Sequence, residues 1–98
     1  MEDSESLLVD MYTVSDIATP QEFMDKMKRT LSHRPVGCMG IRLLMNLHDG
    51  SNFILVSYWP DERSMFSGTP FLHEQIVSAT KDTRARIRIA NYEIKHEV

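Results

Sequence analysis

Few side chains in this 98-residue sequence have the chemistry to act on a small molecule. His73 is a candidate proton acceptor, because histidine is the side chain that titrates near neutral pH. Asp10 is an acid in an otherwise apolar segment, where it would either orient a polar group in a pocket or lie at the frayed start of a strand. Polar side chains that could hold a ligand oxygen occur on segments expected to form strands: Tyr12, Arg42, Asn46 and Tyr58.

Each of these residues also has a purely structural interpretation, which the sequence leaves open. His73 could be a surface histidine near the start of a helix. Trp59 could stack a planar substrate as a pocket wall, or it could simply fill volume in the core. The four polar strand residues could equally lie on a rim or on the surface, unless their side chains enter a cavity between sheet and helices.

The sequence predicts neither a metal site nor a bound cofactor. Its four histidines are far apart, and no His-x-x-x-His or Glu-x-x-His pair occurs on one predicted helix. There is no Gly-x-Gly-x-x-Gly or Walker pattern that would cradle a nucleotide. Nothing places a base beside Cys38, the single cysteine, so this thiol is not expected to act as a nucleophile.

Length and composition are those of one soluble globular domain, which we expect to span residues 1–98. Hydrophobic residues make up 42% of the chain, and no apolar run approaches the ~20 residues that a membrane span needs. The acidic residues 1–6 are expected to be a flexible start, and they lack the positive charge of a secretory signal. One cysteine fits a reducing, cytoplasmic setting.

The charge distribution argues against nucleic acid as a partner. The net charge is −3, and segment 81–88 forms a short basic cluster with Lys81, Arg84, Arg86 and Arg88 against a single Asp82. Binding to nucleic acid needs a broad basic surface that neutralises phosphates. This segment is more simply explained as an exposed strand face, so neither a nucleic-acid nor a membrane partner is expected.

Apolar periodicity and end signals predict the element order β-α-β-β-α-β. Thr19 and Glu22 are spaced as a capping box around Pro20, which predicts a helix start there. Apolar residues then follow at helical spacing: Phe23, Met24, Met27 and Leu31. Strands are expected over residues 7–14, 38–47, 52–59 and 84–98. This order predicts an α+β, ferredoxin-like fold, in which two helices cover one face of a four-stranded antiparallel sheet.

Local signals make the predicted connections more specific. Asp49-Gly50 favours a type I′ hairpin turn. Asp61 is expected to cap a short helical turn that Ser67-Gly68 ends, before Thr69-Pro70 starts the second helix. A change in the phase of apolar residues around Ala90-Asn91 predicts a β-bulge in the last strand.

The strand over residues 52–59 is apolar on both faces. Phe53, Leu55 and Trp59 alternate with Ile54, Val56 and Tyr58. Two helices can cover one face of the sheet, and a second face exposed to water would be expected to be polar. We therefore predict a homodimer in which the open sheet faces of two chains pack together.

Several motifs between residues 20 and 78 occur together in a known family. Pro35-Val36-Gly37-Cys38 leads into a strand, and a hairpin and a strand ending in Trp59 follow. An acidic turn comes next, then the segment Thr69-Pro70-Phe71-Leu72-His73. This pattern resembles the antibiotic biosynthesis monooxygenase family, which implies a dimeric α/β barrel.

The resemblance also implies an activity. The family oxygenates electron-rich aromatic substrates, such as quinols, anthrones or polyketide-like molecules, without a cofactor. By resemblance His73 would be the base, Trp59 the pocket wall, and Tyr58 or Asn46 secondary anchors. The haem-degrading relatives are a poorer match, since Asp10 replaces their asparagine and no tryptophan follows Trp59. The alternative is a non-catalytic, small-molecule-binding or stress-related dimer of the same barrel type.

Overall fold

The computed structural model describes residues 7–80 and 84–98. The expected flexible start, residues 1–6, and residues 81–83 of the basic segment lie outside the described residues. The predicted element order and fold class are confirmed. The elements are β1 (Leu8–Ser15), α1 (Pro20–Thr30), β2 (Gly40–Met45), β3 (Phe53–Trp59), α2 (Glu62–Thr80) and β4 (Arg86–Glu93).

The four strands form one antiparallel sheet in the order β2-β3-β1-β4. Both helices contribute to a core on one face of this sheet, which we call the helix face. The opposite face, the open face, carries the alternate residues of each strand. Side chains of the core come from all layers: Tyr12, Val14, Phe23, Met27, Phe53, Leu55, Trp59, Met65, Leu72 and Ile76.

Helix α1 buries the predicted stripe but lacks the predicted cap. Phe23 and Met27 are fully buried, and the Phe23 ring packs 5.1 Å from that of Phe53. The Thr19 hydroxyl makes no capping hydrogen bond, so the capping-box prediction is wrong. The backbone of Thr19 has ψ of 76°, outside the β region from which a cap hydroxyl reaches the first amides. Its carbonyl instead accepts the first helical bond, from the Phe23 amide.

Helix α2 is continuous, which corrects the prediction of two separate helical segments. Asp61 caps its start as predicted, because its carboxylate accepts a hydrogen bond from the Ser64 amide at 2.8 Å. Gly68 does not break the helix but lets it approach the sheet, because an added Cβ would collide with the Trp59 ring. Core packing of Leu72 then holds the helix together across Pro70, which removes one backbone hydrogen bond.

The connection between β2 and β3 is longer than the predicted two-residue turn. It runs over residues 46–52, and the Asn46 carbonyl oxygen Oδ1 accepts hydrogen bonds from the amides of His48 and Asp49. Among the described residues, a positive φ occurs at Asp16 and Gly37 and not at the predicted turn. A type I′ turn requires positive φ at both central residues, so that prediction is wrong.

Strand β4 has no bulge. Every residue from Arg86 to Glu93 pairs in unbroken register with β1. The change of phase has another cause: Ile87 and Ile89 lie on the helix face, and Asn91 follows them there. The helix face of this edge strand therefore turns from apolar to polar towards its end.

No helix in residues 7–80 and 84–98 combines the length and apolar character needed to cross a membrane.

Candidate functional site

Asp10 lies in the middle of the sheet, on the helix face. Its register partners are Ser57 in β3 and Asn91 in β4. Its side chain is buried, with 1% exposed, and within the described part of the chain neither carboxylate oxygen accepts a hydrogen bond. Burial raises the pKa of this carboxyl, and the neighbouring Tyr12 hydroxyl and the charge of His73 oppose that rise. Of the two sequence interpretations of Asp10, the frayed strand start is therefore excluded.

Tyr12, two residues after Asp10 on β1, stacks against His73 of α2. Their rings are nearly parallel, at 19°, with centroids 6.2 Å apart. Tyr12 is buried, and its hydroxyl donates a hydrogen bond to the Thr69 carbonyl of α2 at 3.0 Å. Burial, with a further contribution from the charge of Asp10, raises the pKa of Tyr12, so this phenol stays protonated. His73 is exposed on α2. We call Asp10, Tyr12 and His73 the Asp10 cluster.

A cavity of about 560 Å³ lies between the start of α2, the start of β1 and the end of β4. The three residues of the Asp10 cluster are not among the described residues that line it. Leu8, Met65 and Phe66 give it an apolar wall. Asn91, the register partner of Asp10, lines it too. The volume suits a small organic molecule. The cavity and the Asp10 cluster together form the candidate site.

Trp59 lies in the core. It is fully buried, its Nε1 donates to the Ser57 hydroxyl at 2.8 Å, and its ring packs closely against Gly68. The hydroxyl thus satisfies the one polar group of the indole. This is the volume-filling role that the sequence left open, and the indole lies in the row next to that of Asp10, on the same face of the sheet.

The remaining predicted binding residues lie away from the Asp10 cluster. Arg42 and Tyr58 are on the open face, where the guanidinium lies 5.8 Å from the centroid of the Tyr58 ring. Asn46 is in the β2–β3 connection, which its side chain helps to order. Of the predicted site residues, the structure therefore brings together Tyr12 and His73.

Sequence reasoning missed Asn91 and undervalued Asp10. The signal was present in both cases. An acid within an apolar strand and the loss of apolar residues on one face of β4 occur in the same row of the sheet. Their proximity depends on the pairing of β1 with β4, the two ends of the chain. Within residues 7–80 and 84–98, no group of three or more His, Cys, Asp or Glu side chains could hold a metal ion.

The sequence matches no protein-family model and no curated protein. Its fold is similar to several solved structures. The cofactor-independent oxygenase SnoaB from Streptomyces nogalater has a TM-score of 0.76 and 13% identity, over 95% of this chain and 97% of that one. A candidate antibiotic biosynthesis monooxygenase from Deinococcus radiodurans has a TM-score of 0.70 and 15% identity, over 93% and 95%. A dimeric ferredoxin-like protein from an uncultured marine organism has a TM-score of 0.73 and 13% identity, over 96% and 100%. At these identities the likeness shows a shared fold: this chain has the ferredoxin-like fold of structures named as antibiotic biosynthesis monooxygenases.

Proposed function

We propose that this protein is a cofactor-independent monooxygenase that acts on a small, electron-rich aromatic molecule. The observation that carries the proposal is the Asp10 cluster, in which an exposed imidazole stacks on a buried tyrosine of β1, whose first residue lines a cavity of substrate size. The fold is that of SnoaB, which is itself a cofactor-independent oxygenase. The similarity of fold supports cofactor-independent oxygenation as the reaction, and the Asp10 cluster supports this part of the molecule as its location.

The proposed reaction begins with loss of a proton from the substrate. His73 accepts this proton and, being exposed, passes it to water. The resulting carbanion or phenolate gives up electrons to O₂, a carbon–oxygen bond forms, and the peroxide anion takes back a proton from water to become a hydroperoxide. For an anthrone, the carbon hydroperoxide then loses water. The CH₂ group has become a ketone, one oxygen atom has entered the product, and the other has left in the water.

The predicted binding residues have different proposed roles. Tyr12 orients His73 by stacking. Trp59 supports the site from the core side. Arg42 and Tyr58 belong to the open face, and Asn46 adjoins it, so we assign these three to the dimer.

The open face is the proposed dimer interface. Its centre is apolar, with Met11, Ile54 and Val56 on adjacent strands. Towards its edges Leu44 is 46% exposed and Tyr92 55% exposed. A second copy of the chain would cover this face and bury Leu44 and Tyr92, and the dimeric ferredoxin-like neighbour supports this arrangement.

Oxygen uptake tests the proposed reaction. Anthrone and a panel of hydroquinones are incubated with the protein in metal-free buffer, and O₂ is followed with an electrode. We expect uptake by the wild type and a loss of roughly 10²-fold in His73→Ala, because the proton acceptor is gone. His33→Ala, which removes another exposed histidine, is the matched control and should be fully active. Equal uptake by wild type and His73→Ala would exclude His73 as the base.

The second candidate function is non-catalytic binding of a small molecule. It is favoured by one observation: Trp59 is enclosed in the core and presents no free ring face to a substrate. No O₂ uptake with any substrate, together with measurable binding of an aromatic ligand, would support this function over the oxygenase.

A further inference from the structure

The cavity of the candidate site is acidic. Asp61 and Glu62 lie at the start of α2, and Glu93 lies at the end of β4. The hydrogen bond from the Ser64 amide holds the pKa of Asp61 below its usual value, so this carboxylate is charged at neutral pH. Lys95 lies 2.9 Å from Glu93 and offsets one charge. Among the described residues that line the cavity there is no lysine, arginine or histidine.

A buried carboxyl without hydrogen-bond donors adjoins this cavity. Asp10 shares its strand face with Leu8 and is paired with Asn91, and both of these residues line the cavity. The nearby Tyr12 hydroxyl has one hydrogen, which it donates to Thr69. No hydrogen bond to either oxygen of Asp10 is formed among the described residues, although the Tyr12 hydroxyl lies close enough to lower the pKa of this carboxyl. Burying such a group is costly unless a bound molecule supplies the missing donors.

We propose that the ligand of this cavity is a cationic amphiphile, a molecule with an apolar ring and a protonated amine. The ring lies against Leu8, Met65 and Phe66. The amine faces Asp10 and the carboxylates of Asp61 and Glu62, which we call the acidic rim. This inference deepens the proposed function, on which it rests for the location of the site but not for the reaction.

An ammonium group meets both features of the cavity at once. It carries three donors for the unpartnered oxygens of Asp10, and its charge is opposite to that of Asp61 and Glu62. A neutral hydroxyl would supply a hydrogen-bond donor to Asp10 but no positive charge to Asp61 and Glu62. A carboxylate would be repelled by both. In the complex Asn91, an exposed side chain on the edge strand, moves aside to admit the amine.

Three ligands with the same ring test the proposal. They are 1-naphthylmethylamine, 1-naphthalenemethanol and 1-naphthoate, which are cationic, neutral and anionic at pH 7. Isothermal titration calorimetry is carried out at low and at 0.3 M salt, a range of roughly 3-fold or more in screening length. We expect the amine to bind about tenfold more tightly than the alcohol, the naphthoate to bind most weakly, and the amine's advantage to shrink in salt. The proposal is overturned if the alcohol or the naphthoate binds as tightly as the amine.

Variants assign the preference to specific carboxylates. Asp10→Asn keeps the size of the side chain and removes its charge, so affinity for the amine should fall about tenfold while affinity for the alcohol changes little. Asp16→Asn is the matched control, since it makes the same change at an exposed acid that does not line the cavity. Glu62→Gln changes an exposed residue of the rim and should leave the fold intact. It should lower the affinity for the amine and raise the affinity for the naphthoate, each a few-fold. Unchanged amine affinity in both Asp10→Asn and Glu62→Gln would overturn the proposal.

Binding is measured without turnover, so the two proposals can fail separately. Amine-selective binding without O₂ uptake from any substrate would remove the oxygenase and leave the cationic ligand. Uptake of O₂ with anthrone, combined with equal affinity for the three naphthalene ligands, would support the oxygenase and exclude the cationic ligand.

Discussion

Asp10 is the residue at which folding and the proposed ligand binding have opposing requirements. Its neighbours along β1 are apolar, and a leucine would suit the same position for stability. An acid there has no donor from the described chain, and burial raises its pKa. Strained or unsatisfied polar groups of this kind are found where a protein binds or reacts with another molecule. The single residue therefore points to the site before any ligand is considered.

The raised pKa of Asp10 predicts how stability changes with pH. The folded-state pKa lies above the usual value of 3.8, so the folded protein takes up this proton first as the pH falls. The cost of burying the charge is present above the folded pKa and disappears as the pH approaches 3.8. We expect Asp10→Asn to be more stable than the wild type by roughly 1–3 kcal/mol at pH 7.5, with the gain shrinking towards pH 4.

Urea unfolding at both pH values measures this effect, with Asp16→Asn as the control. An advantage of Asp10→Asn that is equal or larger at low pH would show that the Asp10 carboxyl is not perturbed in this way.

At the scale of the elements, α2 shows why local signals misplace a helix end. Gly and Pro are both helix breakers in isolation, and Ser67-Gly68 with Thr69-Pro70 resembles a stop and a restart. In the fold, Gly68 is the point at which the helix contacts Trp59, and a side chain there would collide with the indole. The same residue that weakens an isolated helix thus allows this one to pack. Continuity of α2 matters for the site, because it places Thr69 and His73 over Tyr12.

The two helix starts predict different effects of removing the side chain at the cap position. Asp61 accepts a hydrogen bond from the Ser64 amide, whereas the Thr19 hydroxyl makes no such bond. We expect Asp61→Ala to lower the midpoint of thermal unfolding by a few degrees, and Thr19→Ala to leave it nearly unchanged. Differential scanning calorimetry on the pair provides the comparison, with each variant serving as the other's control. A larger loss in Thr19→Ala than in Asp61→Ala would contradict the assigned caps.

At the scale of the whole molecule, the open face predicts the oligomeric state. Sedimentation should give about twice the chain mass of 11.3 kDa for the wild type. Val56→Arg, at the centre of the open face, should shift the protein to monomer, because a charge would be buried in the interface. Leu44→Glu, at an exposed position nearer the edge, is a second test that spares the core.

Val36→Arg is the matched control for the dimer, since Val36 is 95% exposed and lies before β2, outside the sheet. Circular dichroism confirms that each variant is folded. A wild type that sediments as a monomer at micromolar concentration would exclude the interface.

The sequence by itself determined the order of elements and the sheet faces. Periods of two and of 3.6 residues depend on nearest neighbours along the chain, so Phe23 and Met27 in α1 and Phe53 to Trp59 in β3 were assigned correctly. Tertiary structure decided whether α2 is continuous, whether the Thr19 side chain caps α1, and how the β2–β3 connection runs, because these features depend on what packs against them. It also decided the site. Asp10, His73 and Asn91 are separated by most of the chain. The pairing of β1 with β4 makes Asp10 and Asn91 neighbours, and the packing of α2 on the sheet brings His73 against Tyr12.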